Sequence, residues 1–323
     1  MEFFSAIQKA QPKMRKNAVI FSIVFLIFGC QNYNYEGRGN DVPTAGSIKV
    51  GFEHGDSLLV VQWIEIFEMM YPKAHVIPQF GSYNELVNLW INDSIQGVFL
   101  HKEFNQEELN WLKQKKNATV NKIPLGETST AFVTQKASNI DSLTLTEIRS
   151  MLNGKTFRNI SKFYYTGKNS SDYQNIDTIL IRLGYTRKGE ESNKGENIQL
   201  VNLVRDEECL NQLEESSLPA IAMVSLNSIA DSKDPTAIEH LKKLKVLKVE
   251  NHRNEFHLPF QSQISAKQYP FRHTLFSYES QGYSGLIKGF VIYTNTQSGQ
   301  ALLQKSGLFP LNSAGRRIQI DVN

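Results

Sequence analysis

The sequence predicts an α/β protein with a doubly wound parallel sheet, divided into two lobes. Short runs with strand character, such as Ile48–Phe52, Gly97–Leu100, Lys162–Tyr165 and Ala220–Val224, alternate with segments whose apolar residues recur at helical spacing. Polar loops fall where a strand hands over to a helix, at Glu53–Ser57 and again at Thr166–Asp172. No self-similarity at a solenoid period is present, and 323 residues suffice for one large domain or two modest ones.

The chain opens with a segment of another kind. Lys9, Lys13, Arg15 and Lys16 precede an apolar run, Ala18–Phe28, far short of the roughly 20 residues a spanning helix needs. A basic lead-in, an apolar run and a small residue, Gly29, just before Cys30 follow the order of a secretory signal peptide. Ile27-Phe28-Gly29-Cys30 resembles the lipobox of bacterial lipoproteins, whose cysteine is acylated and becomes the new N-terminus, although Phe28 is bulkier than the usual residue there. The alternative, a buried core element, needs a polar face, and this run offers only Ser22. The expectation is a signal peptide over residues 1–29, starting at Met1 or Met14, and a lipid on Cys30. Residues 30–46, rich in Asn, Tyr, Gly, Pro and Asp without periodicity, read as a tether.

Beyond the tether the elements follow in order. After Ile48–Phe52 and its polar loop come Val60, Ile64, Phe67 and Tyr71 at helical spacing, closed by Pro72. Val76-Ile77-Pro78 leads to a helix around Glu85–Ile91, and Gly97–Leu100 runs through His101-Lys102 into a helix near Glu107–Lys113. Thr144 and Glu147 form a capping box, Ile148, Met151 and Leu152 make one face, and Gly154 ends that helix. Lys162–Tyr165 precedes a helix carrying Ile176, Ile179, Leu180 and Leu183, with Gly184 as its cap. Lys188–Glu196 reads as an exposed excursion, Ala220–Val224 as a buried strand and Val246–Val249 as a further strand.

Composition excludes several classes. Of 35 Lys and Arg and 32 Asp and Glu, four and one respectively precede Cys30, so the mature chain has a formal charge of zero. No polyanion-binding field follows from that balance, and nucleic acid is not expected as a partner. With Cys30 lipidated, Cys209 stands alone and no disulfide is available. His252 and His257 lack metal-ligand spacing, so no metal or cofactor is expected. The Asn-x-Ser/Thr matches at Asn92, Asn117, Asn159 and Asn169 carry meaning only in a eukaryotic source. The sequence holds no Gly-x-Ser-x-Gly elbow, His-Glu-x-x-His or P-loop, so an enzyme is not expected.

Three stretches in shared order carry a resemblance. "AFVTQKASNIDSLTLTEIRSMLNGK" (Ala131–Lys155), "PAIAMVS" (Pro219–Ser225), and "YPFRHTLFSY" (Tyr269–Tyr278) followed by "GLIKGFVIYTNTQSGQALLQKSGLFPL" resemble the substrate-binding proteins of phosphate-type ABC transporters. The resemblance covers Ser47 to about Leu311 and implies the two-lobed type II periplasmic-binding-protein fold. It places residues 47–133 and 251–323 in lobe 1 and 134–250 in lobe 2, with crossing strands near Thr130–Thr134 and His273–Tyr278. It further implies a monomeric lipoprotein on the periplasmic side of a Gram-negative envelope. That protein binds a small oxyanion, phosphate first, for an ABC permease. The alternative is a sensor or envelope interaction partner with a degenerate pocket.

The family grips its anion from loops at helix N-termini, where orphan N–H groups and the helix dipole favour negative charge. Carried onto this chain, the resemblance points to Glu53, His54 and Ser57 in the first loop, His101 and Lys102 after the third strand, and Asn169, Ser170 and Ser171 in the second lobe. Three departures bear on the ligand. Lys102 stands where the family has arginine and lacks its bidentate fork. Glu53 and Asp56 bring negative charge, helpful only toward an oxyanion that still carries a proton. Ser170 and Asp172 also fit a plain helix cap.

Overall fold

The computed structural model describes residues 41–185, 197–231 and 233–312. The expected signal peptide, Cys30 and the excursion at Lys188–Glu196 lie outside the described residues. The chain runs β1 (Ala45–Glu53), α1 (Ser57–Met70), β2 (Lys73–Gly81), α2 (Tyr83–Ile91), β3 (Gly97–Leu100), α3 (Gln106–Lys116) and β4 (Asn121–Gln135). It continues through β5 (Ser142–Leu143), α4 (Leu145–Leu152), β6 (Lys162–Tyr165), α5 (Ser171–Arg182), β7 (Gln199–Asn202), α6 (Asp206–Glu215), β8 (Ala220–Ser225), α7 (Asn227–Ala230) and α8 (Pro235–Lys243). Next come β9 (Leu244–Val246), β10 (Lys248–Glu250), β11 (Phe256–His257), α9 (Gln261–Ser265), β12 (Arg272–Glu279), α10 (Leu286–Thr294), α11 (Gln297–Lys305) and β13 (Phe309–Pro310).

The fold is α/β, but its main sheet is mixed rather than wholly parallel. Its order is β2-β1-β3-β12-β4-β8-β6-β7, with β13 and β9 also on β4. Pairing is parallel at β1/β2, β1/β3, β6/β7 and β6/β8, and antiparallel wherever β4 or β12 takes part. The reason is connectivity: β4 carries the chain from the first half of the sheet to the second and β12 brings it back, so they run in opposite senses. Along Asn121–Ser129 β4 pairs with β12, and along Thr130–Gln135 it pairs with β8 and β9.

Two groups of core residues flank this crossing. Phe52, Phe67, Phe99 and Phe290 pack together on the first half, ring centroids 4.8 to 6.3 Å apart for the contacting pairs, an arrangement that adds edge-on aromatic attraction to burial. On the second half Phe132, Ile148, Phe163, Ile176 and Ile221 form one buried cluster, and Cys209, Leu210, Ala222 and Val224 another. Ile264, Tyr269 and Phe271 also pack into these second-half clusters, and β11 pairs with β10. The return to the first half therefore falls at β12, some twenty residues later than the expected boundary at 251.

Two further expectations are corrected. The strand foreseen at Val246–Val249 is split into β9 and β10, which join different sheets: buried Leu247 still donates its N–H to Phe132 O of β4 at 2.8 Å, whereas Lys248 donates to Asp141 O at 3.0 Å and pairs with β5. The tether is held from Asp41, whose carboxylate accepts the Leu286 N–H at 2.6 Å at the start of α10 and a bond from Gln281 Nε2 at 2.9 Å. The capping box on α4 forms as read: Glu147 accepts from the Thr144 N–H at 2.9 Å and Thr144 Oγ1 from the Glu147 N–H at 3.2 Å.

Candidate functional site

The C-terminal ends of β1 and β3 and the N-termini of α5 and α6 meet at the crossing. β1 ends in Glu53, followed by a one-turn helix at His54–Asp56 and then α1, while β3 ends directly before His101. From the second half come Ser170 and Ser171 at the start of α5, Asp206 at the start of α6, Ser225 at the end of β8 and Asn227 at the start of α7.

Glu53 sits at the centre. Its Oε1 accepts the His101 backbone N–H at 2.8 Å and the Ser171 hydroxyl at 2.7 Å, so donors from both halves converge on one carboxylate oxygen. Asp56, almost wholly buried, accepts from Asn227 Nδ2 and lies 2.8 Å from His101 Nε2. Asn175 Nδ2 donates to His101 O at 2.9 Å, and Thr130 donates to Asp172. His273 Nε2 lies 4.0 Å from Asp172 and its ring stands edge-on to His101, centroids 5.1 Å apart. Asp206 accepts from the Ser225 N–H at 3.1 Å and Ser228 Oγ at 2.7 Å. Among the described residues no lysine or arginine pairs with any of these four carboxylates.

Burial sets the protonation of this cluster. It pushes Glu53 above the usual carboxylate range, against the pull of His101. Burial together with the nearby Asp206 charge raises Asp172 to about 7, and burial raises Asp206 to about 6 against the hydrogen bonds it accepts. Burial alone lowers an imidazole, but the Asp56 carboxylate overrides it and lifts His101 to about 9. His273, buried and beside cationic His101, is held neutral well below the ordinary histidine range. One imidazolium thus faces several carboxylates, some of which carry protons near neutrality. Such a site can donate hydrogen bonds from carboxylic acids as well as from hydroxyls and N–H groups. The inner cavity is small, about 30 Å³, bounded by Glu53, Gly55, His101, Ser170, Asp172, Asp206 and Ser225 among others, room for about one or two waters.

Of the residues singled out in the sequence, Glu53, His101, Ser170 and Ser171 come together here. Ser170 serves as the cap of α5, accepting the Tyr173 N–H at 3.3 Å and donating to Gly167 O at 2.8 Å. His54 stacks on Phe80 with centroids 6.5 Å apart, and Ser57 lies further out in a second cavity. Asn169 is exposed in the turn before the cap. Lys102 does not turn inward; its ammonium lies 4.6 Å from the Tyr83 ring centroid and 3.6 Å from Glu108. Asp206 and His273 were not singled out, because nothing in their own neighbourhoods sets them apart. In the sequence Asp56 is legible as a carboxylate suited to a proton-bearing oxyanion and Asp172 as part of a helix cap.

A mixed α/β sheet whose crossing strands join two cores, with polar helix N-termini meeting at the crossing, defines the two-lobed periplasmic-binding-protein-like fold. The chain belongs to the PBP superfamily domain family, whose model matches residues 43–297. Among solved structures it is similar to a protein assigned as a phosphate ABC transporter substrate-binding protein from Clostridium perfringens with bound phosphate, at 14% identity and a TM-score of 0.64, covering 82% of this chain and 100% of that one. It is also similar to an ABC-type phosphate transport receptor from Vibrio cholerae, at 14% identity and a TM-score of 0.57, covering 81% and 99% of the two chains. A third is the CcmR regulatory domain from Synechocystis in complex with 2-PG, at 9% identity and a TM-score of 0.51, covering 76% and 93%. No protein of curated function matches by sequence.

Proposed function

We propose that the protein is an extracytoplasmic solute-binding lipoprotein, not an enzyme, that closes on a small proton-bearing oxyanion, phosphate first, and hands it to an ABC permease. One observation carries the reading: the His101 N–H and the Ser171 hydroxyl, from opposite halves, converge on a single oxygen of Glu53. A group of donors that closes around a carboxylate oxygen can close around a phosphate oxygen. The phosphate-binding structures of the same fold support the same reading. Glu53 then acts as a resident competitor, and the solute must displace it as the halves part and close again. A lipid on Cys30 would hold the protein as a monomer at the periplasmic face of a Gram-negative envelope.

Titration calorimetry of the purified protein with inorganic phosphate and with sulfate tests this. Phosphate, which keeps a proton near neutrality, is expected to bind more tightly than sulfate, because the carboxylates can accept that proton. Mass spectrometry of detergent-extracted protein is expected to find an acylated Cys30 at the N-terminus; an intact peptide across Phe28–Gln31 refutes the anchor. A second reading rests on the filled centre: a sensor or interaction partner held closed by its own Glu53, which absence of binding by either anion would favour.

A further inference from the structure

The two halves are bonded to each other directly across the cleft. The Ser171 hydroxyl and Asn175 Nδ2, both on α5, donate to Glu53 at 2.7 Å and to His101 O at 2.9 Å, and Asn227 Nδ2 on α7 donates to Asp56. Gly55 completes the contact: a Cβ there would stand 2.8 Å from Ser225 Cβ, so the one-turn helix at His54–Asp56 lies against the end of β8. The chain leaves the first half in β4 and returns at the start of β12, where the Thr130 N–H donates to Phe271 O at 3.1 Å. Two passages of backbone thus form the hinge.

The second half brings two carboxyl groups of its own to this contact, Asp172 on α5 and Asp206 on α6. Asp172 faces Glu53 and His101 of the first half, Asp206 of its own half, and Thr130, His273 and Tyr269 beside the hinge. Asp206 faces Glu53 and Asp56 of the first half, with Cys209 one turn along its own helix, while Arg205 turns to Glu208 at 2.9 Å. His54 lines the same cavity. The attraction of cationic His101 for Asp172 is outweighed by burial and by the neighbouring carboxylates. An ionised Asp172 or Asp206 is therefore pressed by carboxylates across the cleft, in a contact that keeps water out.

We propose that this contact is a proton-operated latch: protons on Asp172 and Asp206 hold the halves together, and their loss as pH rises drives the halves apart. Closed, the two acids titrate near 7 and 6; parted, they return to water and to the ordinary carboxylate range. Between that range and pH 6 to 7 the closed form holds more protons than the open one, so closure is favoured as pH falls and fades as pH rises to about 7. Each proton released on opening shifts the closed-to-open ratio about ten-fold per pH unit in that interval. The latch is a property of the chain itself, so it stands or falls separately from the oxyanion reading.

Small-angle scattering of the purified protein, in phosphate-free buffer of constant ionic strength at pH 5 and pH 8, tests it in the wild type and in the Asp172→Asn, Asp206→Asn double variant. Far-ultraviolet circular dichroism of the same samples reports whether the fold is intact. The wild type is expected to show a larger radius of gyration at pH 8 than at pH 5 with its dichroism unchanged. The double variant, which has no proton to lose at either position, is expected to keep its pH 5 radius at pH 8. An equal radius at both pH values in the wild type overturns the latch, and that comparison depends on no variant folding. Expansion at pH 8 with loss of the dichroism signal is unfolding and overturns it likewise. Expansion that persists in the folded double variant overturns the assignment to Asp172 and Asp206.

Discussion

Glu53→Gln separates an occupied anion site from an ordinary buried acid. In the wild type a single carboxylate oxygen accepts two hydrogen bonds, at 2.8 and 2.7 Å, one from each half of the molecule. A hydrogen bond to a charged group contributes about 1.5–3 kcal/mol and one between neutral groups about 0.5–1.5 kcal/mol. Exchanging carboxylate for amide therefore weakens each bond by about 1–1.5 kcal/mol and the resident competitor by about 2–3 kcal/mol. A displacing anion gains that difference, so its affinity should rise by roughly 30- to 140-fold at pH 8. Stability should move in a pH-dependent way. Burial raises the Glu53 pKa in the folded state, so its contribution is fully present below the unfolded value and is lost as pH rises through the folded one. The glutamine variant lacks this loss, so its melting temperature should gain on the wild type between pH 4 and pH 8. Titration calorimetry with inorganic phosphate, alongside thermal melts at both pH values, gives the two readouts. Weaker anion binding by Glu53→Gln would refute the view that this carboxylate occupies the solute's place, since it would make Glu53 a contributor to binding.

Three further outcomes follow from the same geometry. Asp172 and Asp206 titrate near 7 and 6 in the folded protein, above their unfolded range, so stability measured by denaturant should fall as pH rises from 5 to 8, and Asp172→Asn should flatten that slope. Lys102→Ala should change anion affinity by no more than about two-fold, because its ammonium faces Tyr83 and Glu108; a loss of about 1.4 kcal/mol or more, ten-fold, would show that it swings inward on binding. Gly55→Ala should hinder closure, since a Cβ there would stand 2.8 Å from Ser225 Cβ on the other half; small-angle scattering should show a larger radius of gyration, and an unchanged radius would contradict the contact.

The sequence alone was enough for the parts that depend on near neighbours. The helix beginning at Leu145 follows from Thr144 and Glu147, three residues apart, and the buried strand at Ala220–Val224 from an unbroken apolar run. The two helix-start loops carrying Glu53 and Ser171 were legible for the same reason: strand, polar loop and helix follow one another within a few residues. What the tertiary structure decided is everything that depends on the crossing. The antiparallel course of β4 and β12 follows from where the chain returns, which no local pattern records. Lys102 and His101 are adjacent in sequence, yet only His101 turns into the cluster, because Asp56, 45 residues earlier, takes its ring while Tyr83 and Glu108 take the lysine. The raised acids are likewise a product of folding. Glu53, Asp172 and Asp206 are ordinary residues along the chain, and their carboxyls rise above the usual range only because folding buries them, with neighbouring carboxylates adding to the effect.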